Sequence, residues 1–383
     1  MIYFFYKSKR KFISVNYALN LIIVGLFIWN GTFLIYQLKN KNNISIKNNI
    51  DIKHNSFNTI QKHLEDKPDI YFIVLDGYAN ENVLKKYYNY DNSKFIDFLK
   101  KNNFQVIDSC RSNYYGTLLS LSSTLNIKYF NDEELENSQE IINQLRDNYV
   151  FREFKKNGYS IVQLKSGYSV TSFFNLTDST ILIDAPNEFE RAILRYSMFR
   201  LDDIFGQIPY LRLKSQFEIF TNWKVNSLVP TFNFIHIVCP HPPYIFNAKG
   251  ERFYKSNYTD NSWEPKENYI EQLAFVNNHV EKFLNNINTQ YKKLNKEPII
   301  VLLSDHGPYL KSNNKEDVFE IRSKILYAIK TPSSELILNY NTSVNTFPFV
   351  LNNFLGYNLN YLPDSLAGEA IFKESTQFKN LIN

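Results

Sequence analysis

Two periods of hydrophobic spacing alternate along this chain. Short continuous apolar runs, closed by turn residues, read as strands buried on both faces at Ile70–Leu75, 231–238 and 298–304. Residues 105–108, 160–164 and 325–330 carry the same pattern in shorter form. Between these runs the period lengthens: "NSKFIDFLKKNNF" sets Phe95, Phe98 and Leu99 at helical spacing behind Asn92 or Ser93 as a cap. Helical spacing recurs over 139–156 and 188–205, and over a long stretch at 267–293. Strands and helices in alternation imply a mostly parallel sheet covered on both faces. Residues 206–230 and 246–264 follow neither period and read as irregular insertions that shape a cleft; no internal repeat is visible.

The N-terminal pattern is of another kind. Residues 12–38 contain no charged side chain and include "LNLIIVGLFIW", enough to cross about 30 Å of hydrocarbon. The run lacks the shorter apolar core and small-residue cleavage site of a secretory signal, so it reads as an uncleaved transmembrane helix. Lys7, Lys9, Arg10 and Lys11 crowd its front, which by the positive-inside rule leaves residues 1–11 in the cytoplasm and the body outside. Residues 39–67, rich in Asn and Lys, form a linker, and 68–383 form the main domain.

Composition adds bounds. At 383 residues, 44% hydrophobic, the chain can bury a large core. A net charge of +5 with lysines scattered among acids gives no basic stripe, so nucleic acid is not an indicated partner. Two cysteines, Cys110 and Cys239, exclude a disulfide framework or a CxxC zinc site and leave open whether they pair.

The candidate chemistry lies where strands end. Asp76-Gly77 follows the first strand, and Asp305-His306-Gly307 closes "IIVLLSDHG". Side chains just past strand C-termini face the crevice in which open α/β sheets bind ligands, and carboxylate plus imidazole suits a divalent metal. Taken alone, the pair more often means a turn-capping Asp305 and a packed His306, so other ligands must be found elsewhere. In "RSNYYGTLLSLSSTLN" a turn at Gly116 leads into a helix with leucines at 118, 121 and 125 on one face. Thr117 heads that helix, where unpaired N–H groups favour an oxyanion and a phosphate, or it serves as an ordinary N-cap; Ser112, Ser120 and Ser122 are rival hydroxyls. In "FNFIHIVCPHPPYIF" His236 lies inside the strand and reads as a core residue. His241 emerges between prolines that restrict its backbone, with Tyr244 nearby, and is the better ligand for an anionic substrate.

In the order "PDIYFIVLDGYA", "SNYYGTLLSLSSTLN", "HIVCPHPPY", "IIVLLSDHG", residues 68–356 resemble the alkaline phosphatase superfamily, in its sulfatase-like branch of lipoteichoic acid synthases and phosphoethanolamine transferases. "SVNTFPFVLNNFLGYN" is similar to the C-terminal segment of membrane-anchored members associated with surface polysaccharides. The resemblance implies a three-layer α/β sandwich and a single divalent ion held by Asp76, Thr117, Asp305 and His306, with Thr117 as nucleophile. It also implies substrate binding by His241, with Asn113, Tyr244 and Lys165 as further candidates. The oxygen-rich set with one histidine favours zinc or manganese and also admits magnesium or calcium.

Two departures narrow the activity. Formylglycine sulfatases require Cys or Ser followed by x-Pro-x-Arg, whereas Cys110 precedes Arg-Ser-Asn-Tyr and Thr117 cannot become the aldehyde. Two-metal phosphatases need more histidines than the six present, two of which lie in the linker. The expectation is a membrane-anchored phosphotransferase on lipid-linked or glycan phosphoesters. A sulfatase-like hydrolase and a non-catalytic scaffold in polysaccharide assembly are the alternatives.

Overall fold

The computed structural model describes residues 67–183, 202–226, 228–253, 262–310, 312, 314–333 and 336–364, with Tyr17, Asn20, Leu21, Gly25 and Trp29 near the N-terminus. Those five positions are helical, the ones with a described side chain are exposed, and they belong to a unit spanning Met1–Asn58. Among the described residues no helix is long and apolar enough to cross a membrane. The expected transmembrane helix at 12–38, the linker at 39–67 and the helix expected at 188–205 fall mostly outside the described residues.

The second unit, Thr59–Asn383, is built on one sheet. Its strands are β1 (Ile70–Leu75), β2 (Gln105–Val106), β3 (Ser160–Leu164), β4 (Ser179–Ile181), β5 (Thr231–Ile237), β6 (Ile299–Leu303) and β7 (Tyr327–Lys330). They lie in the order β2-β7-β6-β1-β5-β3-β4. From β4 to β6 every pairing is parallel, and β7 alone runs against its neighbours. The most apolar runs, β1, β5 and β6, occupy the centre and are buried throughout, as strands covered on both faces must be.

Alternation along these strands sorts the core into two layers. Tyr71, Ile73, Leu75, Ile235, Ile237, Ile300 and Leu302 face α1 (Glu81–Tyr88), α2 (Ser93–Lys101), α7 (Asp202–Thr221) and α8 (Lys266–Leu294). Ile70, Phe72, Val74, Phe232, Phe234, Ile299, Val301 and Leu303 face α3 (Thr117–Asn126), α5 (Ser138–Arg146), α6 (Tyr149–Lys156) and α10 (Thr346–Leu355). The short α4 (Asp132–Glu136) and α9 (Lys315–Ser323) complete the α/β architecture. Cys110 and Cys239 stay separate buried thiols, their pKa values pushed up by burial.

Two expectations about elements change, and one strand is added. The stretch 139–156 forms two helices, because Asp147 leaves helical backbone geometry and the Asn148 side chain caps the next helix by accepting from the Phe151 N–H at 2.8 Å. Residues 206–221, expected to be irregular, belong to α7, which contains Pro209. Tertiary contacts hold it: Phe220 stacks on Phe283 at 4.2 Å, and buried Gln216 donates to the carbonyls of Lys165 and His236. β4 was too short to stand out; it is an edge strand of three residues.

Phe232 is fully buried, with the rings of Phe151, Phe154 and Phe347 at 4.7–5.7 Å. Phe232→Ala is expected to cost about 3–5 kcal/mol in urea unfolding. Phe173→Ala, at a ring 60% exposed, is expected to change stability by less than about 0.5 kcal/mol.

Candidate active site

The phase of the central strands carries beyond their ends. Asp76 continues Ile70, Phe72 and Val74; His236 continues Phe232 and Phe234; Asp305 continues Ile299, Val301 and Leu303. All three therefore come out on the sheet face covered by α3, at the carboxyl ends of adjacent parallel strands in which Val74 is paired with His236 and with Leu303. Ligand atoms of Asp76, His236 and Asp305 lie within 4.8 Å of one another. On the same face α3 begins at Thr117, with Leu121 and Leu125 buried beneath it.

Backbone locks fix these ends. Gly77 turns the chain at φ +76°, a conformation that glycine allows, and a Cβ there would meet the Trp263 ring at 2.5 Å. The Ser304 hydroxyl accepts from the Tyr78 N–H at 2.8 Å and donates to the His306 carbonyl at 2.7 Å, joining the turns after β1 and β6. The His241 N–H donates to the Asp76 carbonyl at 3.0 Å. Gln272 of α8 clasps that loop, donating to the Pro240 and His241 carbonyls and accepting from the Ile245 N–H. Gly116, in extended geometry, occupies the cap position of α3, so the Thr117 hydroxyl is not spent on capping.

Hydrogen-bond partners decide which atoms face the centre. Asp305 Oδ1 accepts from the N–H groups of Gly77 and His306, while Oδ2 is buried without a partner. His306 Nδ1 lies 3.0 Å from the Gly307 carbonyl, which can only accept; the ring proton therefore sits there and Nε2 presents a lone pair. That Nε2 is 3.4 Å from Asp76 Oδ1, 3.5 Å from Asp305 Oδ2 and 3.5 Å from Thr117 Oγ1. His236 Nδ1 bonds Thr171 Oγ1 at 2.7 Å, and its Nε2 faces Asp76 Oδ2 at 3.4 Å. Asp76 Oδ1, Asp305 Oδ2 and His236 Nε2 are three buried polar atoms with no hydrogen-bond partner, in one place.

The titration of the group follows from this crowding. Burial pushes the Asp305 carboxyl up to about 7, and the charge of Asp76 adds to the rise. Burial raises Asp76 as well, but His241, His306 and His236 outweigh it and hold that carboxyl below its usual range. Burial, helped by the Arg322 charge, pushes His306 well down, which keeps its Nε2 unprotonated at neutral pH.

A divalent cation fits these residues. Donors about a tetrahedral ion with bonds of about 2.0–2.1 Å stand roughly 3.3 Å apart. His306 Nε2 keeps close to that separation from oxygens of Asp76, Asp305 and Thr117. Two carboxylates, a hydroxyl and one imidazole suit zinc or manganese.

The other expected residues are placed as follows. His241 lies beside the group, its ring centroid 6.1 Å from that of His306 and 4.8 Å from Trp263, with Nδ1 on the Pro242 carbonyl at 2.6 Å and Nε2 left to accept. Tyr244 is buried in the α8-side core. Asn113 is fully buried; it donates to Tyr129 and accepts from the Ser343 hydroxyl and the Val344 N–H. The Lys165 ammonium lies 5.3 Å from the centroid of the exposed Phe173 ring. His236 was expected to pack in the core; it is buried there, but its outer nitrogen reaches the acid group. The signal was parity: a lone imidazole in an apolar strand, in phase with the face that ends at Asp76.

The sequence model described as Sulfatase matches residues 68–332, more than half of the chain. The chain belongs to the Sulfatase family. The match spans Asp76, Thr117, His241, Asp305 and His306 together. Among solved structures, the C-terminal periplasmic domain of EcEptC from Escherichia coli, in complex with Zn, aligns at a TM-score of 0.50 and 15% identity over 81% of this chain and 89% of that one. The phosphonate monoester hydrolase of Agrobacterium radiobacter aligns at 0.47 and 11% over 79% and 78%. The integral membrane protein lipooligosaccharide phosphoethanolamine transferase A from Neisseria meningitidis aligns at 0.46 and 14% over 96% and 67%. At these identities the likeness is one of fold. No curated protein matches the chain.

For this member of the Sulfatase family, Zn²⁺ added to chelator-treated protein at 100 times its Kd is expected to stabilise folding by about 2.7 kcal/mol in thermal denaturation. Asp305→Asn keeps an acceptor for the Gly77 N–H but loses charge at the outer oxygen, and most of that gain is expected to disappear. An undiminished gain in the variant contradicts the assignment of Asp305.

Proposed function

We propose that the chain is a membrane-anchored, metal-dependent phosphotransferase that acts on lipid-linked or surface-glycan phosphoesters through a covalent Thr117 ester. Residues 12–38 are its single transmembrane helix, 39–67 its linker and 68–383 its catalytic domain on the extracytoplasmic side. The observation that carries the chemistry is the approach of Thr117 Oγ1 to His306 Nε2 inside the group that holds Asp76 and Asp305. The zinc complex of the similarly folded EcEptC domain supports zinc as the ion. Asp76, Thr117, Asp305 and His306 would hold it, and when bound it would make the Thr117 hydroxyl easier to ionise and neutralise a nonbridging phosphoryl oxygen.

The chain's own residues supply the rest. Thr117 Oγ1 attacks phosphorus and loses its proton; the bond from phosphorus to the donor alcohol breaks, and that oxygen is protonated as it departs. In the second half, an acceptor hydroxyl attacks, the Thr117 ester bond breaks, and the acceptor's proton balances the one that Thr117 regains. Thr117 lies in the first turn of α3, whose N–H groups and dipole favour the anionic phosphoryl group. His241, held by its backbone bond to Asp76 and by Gln272, is positioned to bind a phosphoryl oxygen once its Nε2 has taken up a proton, a form that the negative charge of the substrate favours. The anchor favours a lipid head group as donor, since a tethered domain meets its substrate at the bilayer surface.

Thr117→Ala is expected to lower turnover of a phosphodiester by at least about 10³-fold, as removal of a covalent nucleophile does. Mass spectrometry of the wild-type protein caught during turnover is expected to find the phosphoryl adduct on Thr117. Product analysis with added acceptor alcohol is expected to yield the transferred ester; products from water alone identify a hydrolase. An adduct on another residue, or full turnover by the alanine variant, contradicts the assignment.

A further inference from the structure

Arg322 lies in the last turn of α9 at 2% exposure, an unusual place for a guanidinium. Its Nε donates to the Tyr115 carbonyl at 2.9 Å, Nη2 donates to the same oxygen, and Nη1 donates to the carbonyl of Gly307. Its own carbonyl accepts from the Gly307 N–H at 2.8 Å. The Tyr309 ring lies 3.5 Å from the guanidinium carbon, and the Tyr309 hydroxyl also reaches the Tyr115 carbonyl. Gly307 cannot carry a side chain here, because a Cβ would sit 2.0 Å from the Ile321 carbonyl.

Tyr115 stands two residues before Thr117, and Gly307 directly follows His306. The two segments are far apart in sequence, and α9 touches both. We propose that Arg322 is a positioning residue, a planar fork that fixes the Thr117 turn against the Asp305-His306 turn at the spacing the reaction requires. This inference rests on the reading of Thr117 as nucleophile. A guanidinium suits the task because its donors diverge in one plane and reach two carbonyls at once, whereas an ammonium is a single point. Its charge is tolerated in the interior because Asp305 and Asp76 lie close and the Tyr309 ring covers its face. With its donors directed at main-chain carbonyls, Arg322 acts through Thr117 and His306 rather than on the substrate.

The test compares Arg322→Lys with the wild type in zinc-loaded protein, using bis(p-nitrophenyl) phosphate as probe. Misplacement of the nucleophile lowers kcat, expected at about 100-fold, while KM stays within about threefold. Hydrogen exchange is expected to quicken about tenfold in both 113–119 and 305–309 and to stay unchanged in 231–237. A raised KM with kcat retained would make Arg322 a substrate contact and overturn the inference, as would faster exchange confined to 315–323. If Arg322→Lys does not fold, Tyr309→Leu uncovers the guanidinium without removing its donors; the same pattern is expected in weaker form, and unchanged kcat and exchange overturn the inference. A wild-type protein inactive on phosphodiesters would defeat the proposed function, while the exchange measurement would still judge the clamp.

Discussion

The structure turns on lone pairs brought together where water cannot separate them. Asp76, Asp305, His306 and Thr117 direct oxygens and one nitrogen into a buried space, and Asp76 Oδ1 and Asp305 Oδ2 there, with Nε2 of the adjoining His236, have no hydrogen-bond partner. Such an arrangement is costly without positive charge, since every buried unpaired acceptor forfeits its hydration. A divalent cation bound there would offset the cost, and the sheet leaves the side chains of Asp76 and Asp305 little choice of direction. Adjacent parallel strands bring Asp76, His236 and Asp305 out on one face, and α3 sets Thr117 over it.

Support for this centre is distributed across both layers. From the α8 side, Gln272 holds the His241 loop and Trp263 roofs the Gly77 turn. From the α3 side, the helix presents Thr117 with its hydroxyl released from capping. Below, a chain of hydroxyls and amides holds His236: Gln163 donates to the Thr171 carbonyl, and Thr171 bonds the imidazole. The reactive atoms are thus carried by short turns, while rigid elements on each side restrain those turns.

Much of this was legible before any coordinates. Apolar runs ending in Asp76-Gly77 and Asp305-His306-Gly307 marked the carboxyl edge of a parallel sheet, a position that suits ligands, though a turn-capping Asp305 and a packed His306 fit the same pattern. The leucine spacing after Gly116 placed Thr117 at a helix start. What escaped depended on neighbours distant in sequence. His236 looked like a packed residue because periodicity reports burial but not what lies across the strand; only the β1–β5 pairing sets it against Asp76. Helix α7 escaped because Pro209 and weak amphipathicity hide a segment that Phe220 and Gln216 secure through tertiary contacts. Arg322 gave no signal at all, since its importance lies in two main-chain carbonyls.

The most direct test of the central claim is anomalous diffraction from crystals of the protein grown with Zn²⁺ and phosphate. A single strong peak bonded to Asp76, Thr117, Asp305 and His306, with phosphate between Thr117 and His241, is the predicted result. A peak bonded to Asp76, His236 and Asp305 that leaves Thr117 and His306 unliganded, or no peak at this sheet edge, would contradict it.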